Sequence, residues 1–149
     1  MHIYVDADAC PVKAIIERVA KQNQIKVTMV IDVNHILHSD YSEVVTVSQG
    51  ADSVDLYLIN RVQKGDLVVS QDYGVAALAL GKGARALSNS GLEFTDYNID
   101  KLLFERYLGK KQREAKKGKV RLPHHAKRTE ADDSAFEEAL RRIIAEMNK

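Results

Sequence analysis

Short β-rich runs alternate with segments of helical period through the first hundred residues, and this alternation constrains the fold more than any other feature. Residues 2–5 (HIYV), 25–32 (IKVTMVID), 43–48 (EVVTVS), 67–70 and 84–87 read as strands. Between them lie a helix from Pro11 to about Asn23, a helical stretch over 52–63 and a second clear helix over 73–82. Pro11 suits a first helical position, and Val12, Ile15, Ile16 and Val19 recur at the spacing that buries one helix face. Asn98 is an N-cap for a helix from Ile99 to about Leu108. Residues 109–129 read as loop, and a last helix spans 133–147 with Phe136, Leu140, Ile143, Ile144 and Met147 on its apolar face. Strand alternating with helix predicts the α/β class: one domain of three layers, α/β/α, around a mostly parallel sheet. The expected organisation is an α/β body over 1–115, a basic loop over 116–129, and a C-terminal helix over 130–149 packing on the same domain.

The chain has 149 residues, of which 45% are apolar, enough for one domain with a proper core. No apolar run approaches the ~20 residues that span a bilayer. A single cysteine excludes an internal disulfide and a cysteine-based zinc cage. No charged-then-apolar signal segment opens the chain, so a soluble, cytoplasmic protein is expected. The net charge of +1 hides an asymmetry. Residues 1–100 sum to −5 and residues 101–149 to +6; the segment 110–128 holds 9 basic residues against Glu114 alone. An acidic body with a basic arm suits a cation and a polyanion on one molecule, although such a run also serves as a solubilising face.

In a parallel α/β sheet, ligands sit outside the carboxyl ends of the strands. Asp6 and Asp8 follow the first strand, Asp52 and Asp55 open the helix after the third, and Asp72 follows the fourth. Asp66 precedes its strand and belongs to the opposite edge; Asp32 ends the second strand, with nothing else to recommend it. Steps of three, four and three put Asp52, Asp55, Ile59 and Val62 on one helical stripe. Asp52, Asp72 and Asp8, each taken alone, also read as helix N-caps. Capping accounts less well for Asp6, and it does not require carboxylates at three strand ends. Converging carboxylates repel, and Mg²⁺ or Mn²⁺, which take oxygen ligands, relieve that repulsion.

The segments DADACPVK (6–13), GADSVDLYLIN (50–60), GDLVVSQDYGVAALAL (65–80) and TDYNIDKLLFERYLGKKQR (95–113), in this order, resemble the YaiI/YqxD family of small bacterial proteins. That family is similar to the PIN-like fold, whose better-known members are metal-dependent nucleases. The resemblance implies an acidic pocket for Mg²⁺ or Mn²⁺. Asp6 matches the carboxylate after the first strand, Asp52 or Asp55 the helix-borne one and Asp72 the one after the fourth strand. Asp8 and Asp96 are further metal-ligand candidates. The implied activity is hydrolytic cleavage of phosphodiester bonds in RNA or structured nucleic acid. A shared fold can nevertheless host another function.

DADAC also resembles the nucleophile motif of haloacid-dehalogenase phosphatases, in which Asp6 would attack phosphorus and Asp8 act as acid and base. Cys10 in place of the usual Thr or Val, and the lack of room for a cap, count against it. A third reading is a non-catalytic module that binds nucleic acid or a protein through the arm. Lys13, Lys119, Arg121, Lys127 and Arg128 are the candidate phosphate contacts, joined by His124 and His125. Tyr107 is the only aromatic near the arm, so contact with the phosphate backbone is expected rather than base stacking. Cys10 reads as packing rather than a reactive thiol, and His35 and His38 as structural or exposed. No membrane contact is expected, and oligomerisation is left open.

Overall fold

The computed structural model describes residues 1–48, 53–115 and 127–148. Its element order is β1 (His2–Asp6), α1 (Lys13–Gln22), β2 (Lys26–Asp32), β3 (Glu43–Val47), α2 (Ser53–Arg61), β4 (Leu67–Val69), α3 (Tyr73–Gly81), β5 (Arg85–Leu87), β6 (Glu93–Phe94), α4 (Asp96–Ala115) and α5 (Glu130–Met147). The strands form one six-stranded sheet in the order β3-β2-β1-β4-β5-β6. All pairs are parallel except β5 with β6.

The alternation of side chains along the strands distributes the core over both faces. On one face, Ile3, Val5, Val27 and Met29 pack with Ile16 and Val19 of α1 and with Phe136, Leu140 and Ile143 of α5. On the other, Val30 and Val68 pack with Val54 and Leu58 of α2 and with Val75 and Ala79 of α3. There α4 joins α3 through Ala76, Phe94 and Ile99. The result is a three-layer α/β/α domain, as the alternation predicts. Because β1 to β3 grow one way from β1 and β4 to β6 the other, winding reverses between β1 and β4. That point is the topological switch, where the strand ends leave a crevice.

Several boundaries differ from the sequence reading. The first helix begins at Lys13 rather than Pro11, with Val12 as N-cap. The second, Ser53–Arg61, buries Val54 and Leu58; Val62 just beyond it is buried too, Ile59 packs partly buried on the same core, and Asp55 is half-exposed. The helix expected from Ile99 begins at Asp96, and Asn98 is not its N-cap. Thr95 and Asn98 cap each other: the Thr95 N–H donates to Asn98 Oδ1 (3.0 Å) and the Asn98 N–H to Thr95 Oγ1 (3.2 Å). The same helix runs through Gly109 to Ala115, where a loop was expected; one interior glycine costs only ~1 kcal/mol. The last helix starts at Glu130 rather than 133, behind a Thr129–Asp132 capping box. Strand β6, two residues long, is too short to show alternation in the sequence.

The turn between β5 and β6 locks onto α5. Gly91 has φ +91°, and a Cβ there would lie 2.7 Å from the carbonyl oxygen of Ala135. Gly91→Ala therefore meets both backbone strain and rigid helix backbone. The expected cost is ~2–3 kcal/mol, seen in a thermal melt as a Tm lowered by about 5–10 °C.

Candidate functional site

The crevice at the β1/β4 switch point is lined with acid. Asp6 is the last residue of β1, and Asp72 follows β4 by three residues. The Ser70 hydroxyl joins them: it donates to Asp6 Oδ2 (3.3 Å) and accepts from the Asp72 N–H (3.0 Å). Asp72 is also the N-cap of α3. Its Oδ1 accepts from the N–H groups of Gly74 (2.8 Å) and Val75 (3.1 Å). The capping role expected for this residue is thus real, and it fixes the orientation of the carboxylate.

Burial, followed by the negative charges of Asp55, Asp8 and Asp72, pushes the Asp6 carboxyl up to about 6; the Ser70 hydrogen bond opposes this only in part. Asp55, in the first turn of α2, is the strongest of the charged neighbours. Asp6 and Asp72 are thus linked through Ser70, and Asp55 shares a cavity wall with Asp72; among the described residues, the acidic group whose ligand atoms all lie within 4.8 Å of one another is instead Asp8, Asp32 and His35. Asp52 lies outside the described residues, so of the Asp52/Asp55 pair the placement of Asp55 is what the structure gives.

Two cavities meet at Asp72. One, of about 750 Å³, is lined by Asp6, Gln71, Asp72, Tyr73, Leu102, Glu105 and Arg106. The other, of about 340 Å³, is lined by Asp55, Leu56, Ile59, Asp72, Gly74, Val75 and Leu78. Glu105 and Arg106 were not among the residues expected from the sequence. Their helix α4 starts at the far edge of the sheet and runs back along it, so the approach appears only once β6 is known to be antiparallel.

The same reversal displaces Asp96. Phe94 pairs with Ala86, so β6 ends at the edge where β1, β4 and β5 begin. Asp96 is exposed there, away from Asp6. Asp66 is at that edge too, as expected, where its side chain accepts from the N–H groups of His2 (3.0 Å) and Gln63 (2.9 Å).

Asp8 adds negative charge near Asp6 but belongs to a second grouping. Its Oδ2 accepts the Asp32 N–H (3.3 Å), and its Oδ1 lies 3.1 Å from His35 Nδ1. That nitrogen is closer to Asp32 Oδ1, at 2.8 Å. Asp8 Oδ1 is buried and has no hydrogen bond of good geometry, because the His35 N–H is directed to Asp32. The hydrogen bond to Asp32, followed by the charge of Asp8, raises the His35 pKa. Asp32 and His35 thus sit closer to the site than the sequence suggested.

The basic candidates divide. Lys13 Nζ donates to the Ala7 carbonyl (3.2 Å), which holds it over the β1–α1 loop beside the acidic residues. Arg128 is a tether: it donates to the Asn89 carbonyl and to Asp133 Oδ1, both at 2.8 Å. Lys127 is exposed. Lys119, Arg121, His124 and His125 lie outside the described residues. Lys110 and Lys111 extend α4 into solvent, with Lys111 over the Tyr107 ring and Phe104 also exposed. Cys10 is buried, and its thiol pKa is raised by that burial, which fits packing and not a reactive thiolate.

Fold and site together define a small doubly wound α/β protein with an acidic crevice at its switch point. The profile described as "Uncharacterized BCR, YaiI/YqxD family" matches residues 4–146, and the chain belongs to that family. It is 53% identical over 144 residues to a UPF0178 protein of Lachnoclostridium phytofermentans, covering 97% of both chains. It is 54% identical over 144 residues to one of Clostridium acetobutylicum, again with 97% of both chains covered. With a UPF0178 protein of Clostridium tetani it shares 48% identity over 149 residues, the full length of both. No solved structure matches. Among the described residues no helix is long and apolar enough to cross a membrane.

Proposed function

We propose that this protein is a divalent-metal-dependent nuclease of PIN-like type that hydrolyses phosphodiester bonds in RNA or structured nucleic acid. The observation that carries the proposal is the acidic crevice at the switch point, where Ser70 links Asp6 to Asp72 and Asp55 lines a cavity with Asp72. The donors are hard carboxylate oxygens, the ligand type that Mg²⁺ and Mn²⁺ prefer. Asp6, Asp55 and Asp72 would hold the ion, with Asp52, which lies outside the described residues, as a further candidate. Such an ion supplies an activated water and a counter-charge for the phosphate.

The residues of the chain account for the rest. Ser70 and the α3 N-terminus hold Asp6 and Asp72 in fixed orientation. Arg106, on the wall of the larger cavity with Asp6 and Asp72, would offer a cation to a backbone phosphate. Lys13 and the basic segment 110–128 supply charge attraction, which weakens steeply with salt. The cleft extends to both sides of Asp72, which suits a polymer passing through. The phosphatase reading fits less well, because both Asp8 oxygens face Asp32 and His35 and not the crevice where an acid/base would work.

The test is a Mn²⁺ and Mg²⁺ titration against labelled RNAs, structured DNAs and a chromogenic phosphomonoester, with Asp6→Asn as control. Cleavage of nucleic acid that depends on metal and is lost in the variant is the expected result. Turnover of the phosphomonoester alone supports the phosphatase. Nucleic-acid binding without turnover of anything supports the non-catalytic module.

A further inference from the structure

Helix α4 packs inward through Ile99, Leu102 and Leu103. Its solvent side carries Tyr97, Phe104, Tyr107 and Leu108, which are 96%, 60%, 54% and 42% exposed. Large apolar side chains gathered on the outside of a helix mark a surface that meets something. Tyr107 is not alone near the arm: because α4 starts at Asp96 and runs on to Ala115, Tyr97 and Phe104 share its solvent side. Between 101 and 112 stand Lys101, Arg106, Lys110 and Lys111 against one acid, Glu105, which lies 4.0 Å from the Lys101 ammonium. Arg106, Lys110 and Lys111 make no ion pair with a described residue. Steps of three and four link Tyr97, Lys101, Phe104, Leu108 and Lys111 into one stripe, with Tyr107 beside it. Lys111 Nζ stands 5.7 Å from the centre of the Tyr107 ring.

We infer that this face of α4 binds a single-stranded segment of nucleic acid, with bases stacked on Phe104 and Tyr107 and phosphates drawn to Arg106, Lys110 and Lys111. The inference rests on the nucleic-acid half of the proposed function; it needs neither the metal nor the cleavage. Sites for single strands combine a basic track with rings on which bases stack. A duplex keeps its base faces covered, so rings select strands whose bases are free. Two other occupants fit this surface less well. Interfaces between protein copies are depleted of lysine at their core, whereas here lysines alternate with the rings along the stripe. A helix lying in a lipid surface keeps its cations on the face away from its rings; on α4 both share one face. The placement agrees as well. Helix α4 runs back along the sheet toward the crevice, and Arg106 stands on the wall of the larger cavity with Asp6 and Asp72. A strand held on this face is thereby led to the carboxylates.

The probes are a short fluorescein-labelled RNA without self-complementarity and the duplex it forms with its complement, each titrated with the intact chain in chelator and read by anisotropy. The single strand binds about tenfold more tightly than the duplex. Phe104→Ala and Tyr107→Ala each weaken the single strand about tenfold and leave the duplex within about twofold. Both positions are exposed, so the fold is spared. Phe104→Tyr and Tyr107→Phe, which keep a ring, bind as wild type does; Phe104→Leu, which keeps only apolar bulk, falls with the alanine variant. Lys111→Gln weakens both RNAs alike and lowers the salt slope by about one. Duplex binding as tight as that of the single strand overturns the inference, and so does full affinity in Phe104→Leu. An alanine variant that alters only sedimentation overturns it too, and assigns the face to a second copy of the chain. Cleavage of the same RNAs with Mn²⁺ separates the two readings. Ring-dependent binding without cleavage removes the hydrolytic function and keeps this face; cleavage with no dependence on the rings does the reverse.

Discussion

On the proposed nuclease function, Asp72→Asn is expected to lower metal-dependent cleavage at least about a hundredfold while leaving the protein folded. Even partners that only orient a metal ligand are worth 10–100-fold in affinity or activity, so loss of a direct carboxylate sits at or above that range. Stability is spared because asparagine is as good an N-cap as aspartate, and its side-chain oxygen can still accept from the Gly74 and Val75 N–H groups. Asp72→Ala makes the contrast. It removes the cap as well, and a further ~1 kcal/mol of stability goes with it. Rates with Mn²⁺, read beside urea midpoints for both variants, separate the two roles of this one residue. An Asp72→Asn enzyme within threefold of wild type would remove Asp72 from the centre.

Asp6→Asn stabilises the metal-free protein at pH 7.5. The Asp6 carboxyl has been raised from its ordinary value to about 6, so the folded state disfavours its ionised form. Its contribution to stability is fully present below the unfolded pKa near 4, and it is lost as pH rises through about 6. Each tenfold in the equilibrium is worth ~1.4 kcal/mol, and partial contact with solvent trims the total to ~1–2 kcal/mol. The neutral amide escapes that cost at pH 7.5 and gains nothing at pH 4. In thermal melts with chelator, the variant exceeds wild type by roughly 3–8 °C at the higher pH, and the difference closes toward pH 4. Saturating Mg²⁺ reverses the order, since an ion at one hundred times its dissociation constant stabilises only the binding-competent chain, by ~2.7 kcal/mol.

How much of this was legible beforehand follows from the parallel topology. Once Leu67–Val69 and His2–Asp6 are strands, the residues after each must share an edge, so Asp6 and Asp72 come together whatever the details of packing. Asp66 goes to the other edge by the same rule. The rule fails where the sheet turns antiparallel. Glu93–Phe94 is only two residues long, and without it the placement of Asp96, a candidate from the resemblance alone, and the approach of Glu105 and Arg106 are not legible in the sequence. Periodicity put Asp55 on one stripe with Ile59 and Val62; in the structure Val62 is buried and Ile59 packs partly buried on the same core, while Asp55 is half-exposed and lines a cavity with Asp72. Asp8 could not be separated from Asp6 by sequence, because its partners Asp32 and His35 arrive from the end of β2 and the loop beyond it.

The claim on which the rest depends is that Asp6, Asp55 and Asp72 hold one divalent cation. Water-proton relaxation during a Mn²⁺ titration of wild type, Asp6→Asn and His35→Ala measures it directly. The account predicts one saturable site in wild type, competed by Mg²⁺, weakened at least about tenfold in Asp6→Asn and unchanged in His35→Ala. A site that survives Asp6→Asn and disappears with His35→Ala would place the ion among Asp8, Asp32 and His35 instead, and contradict it.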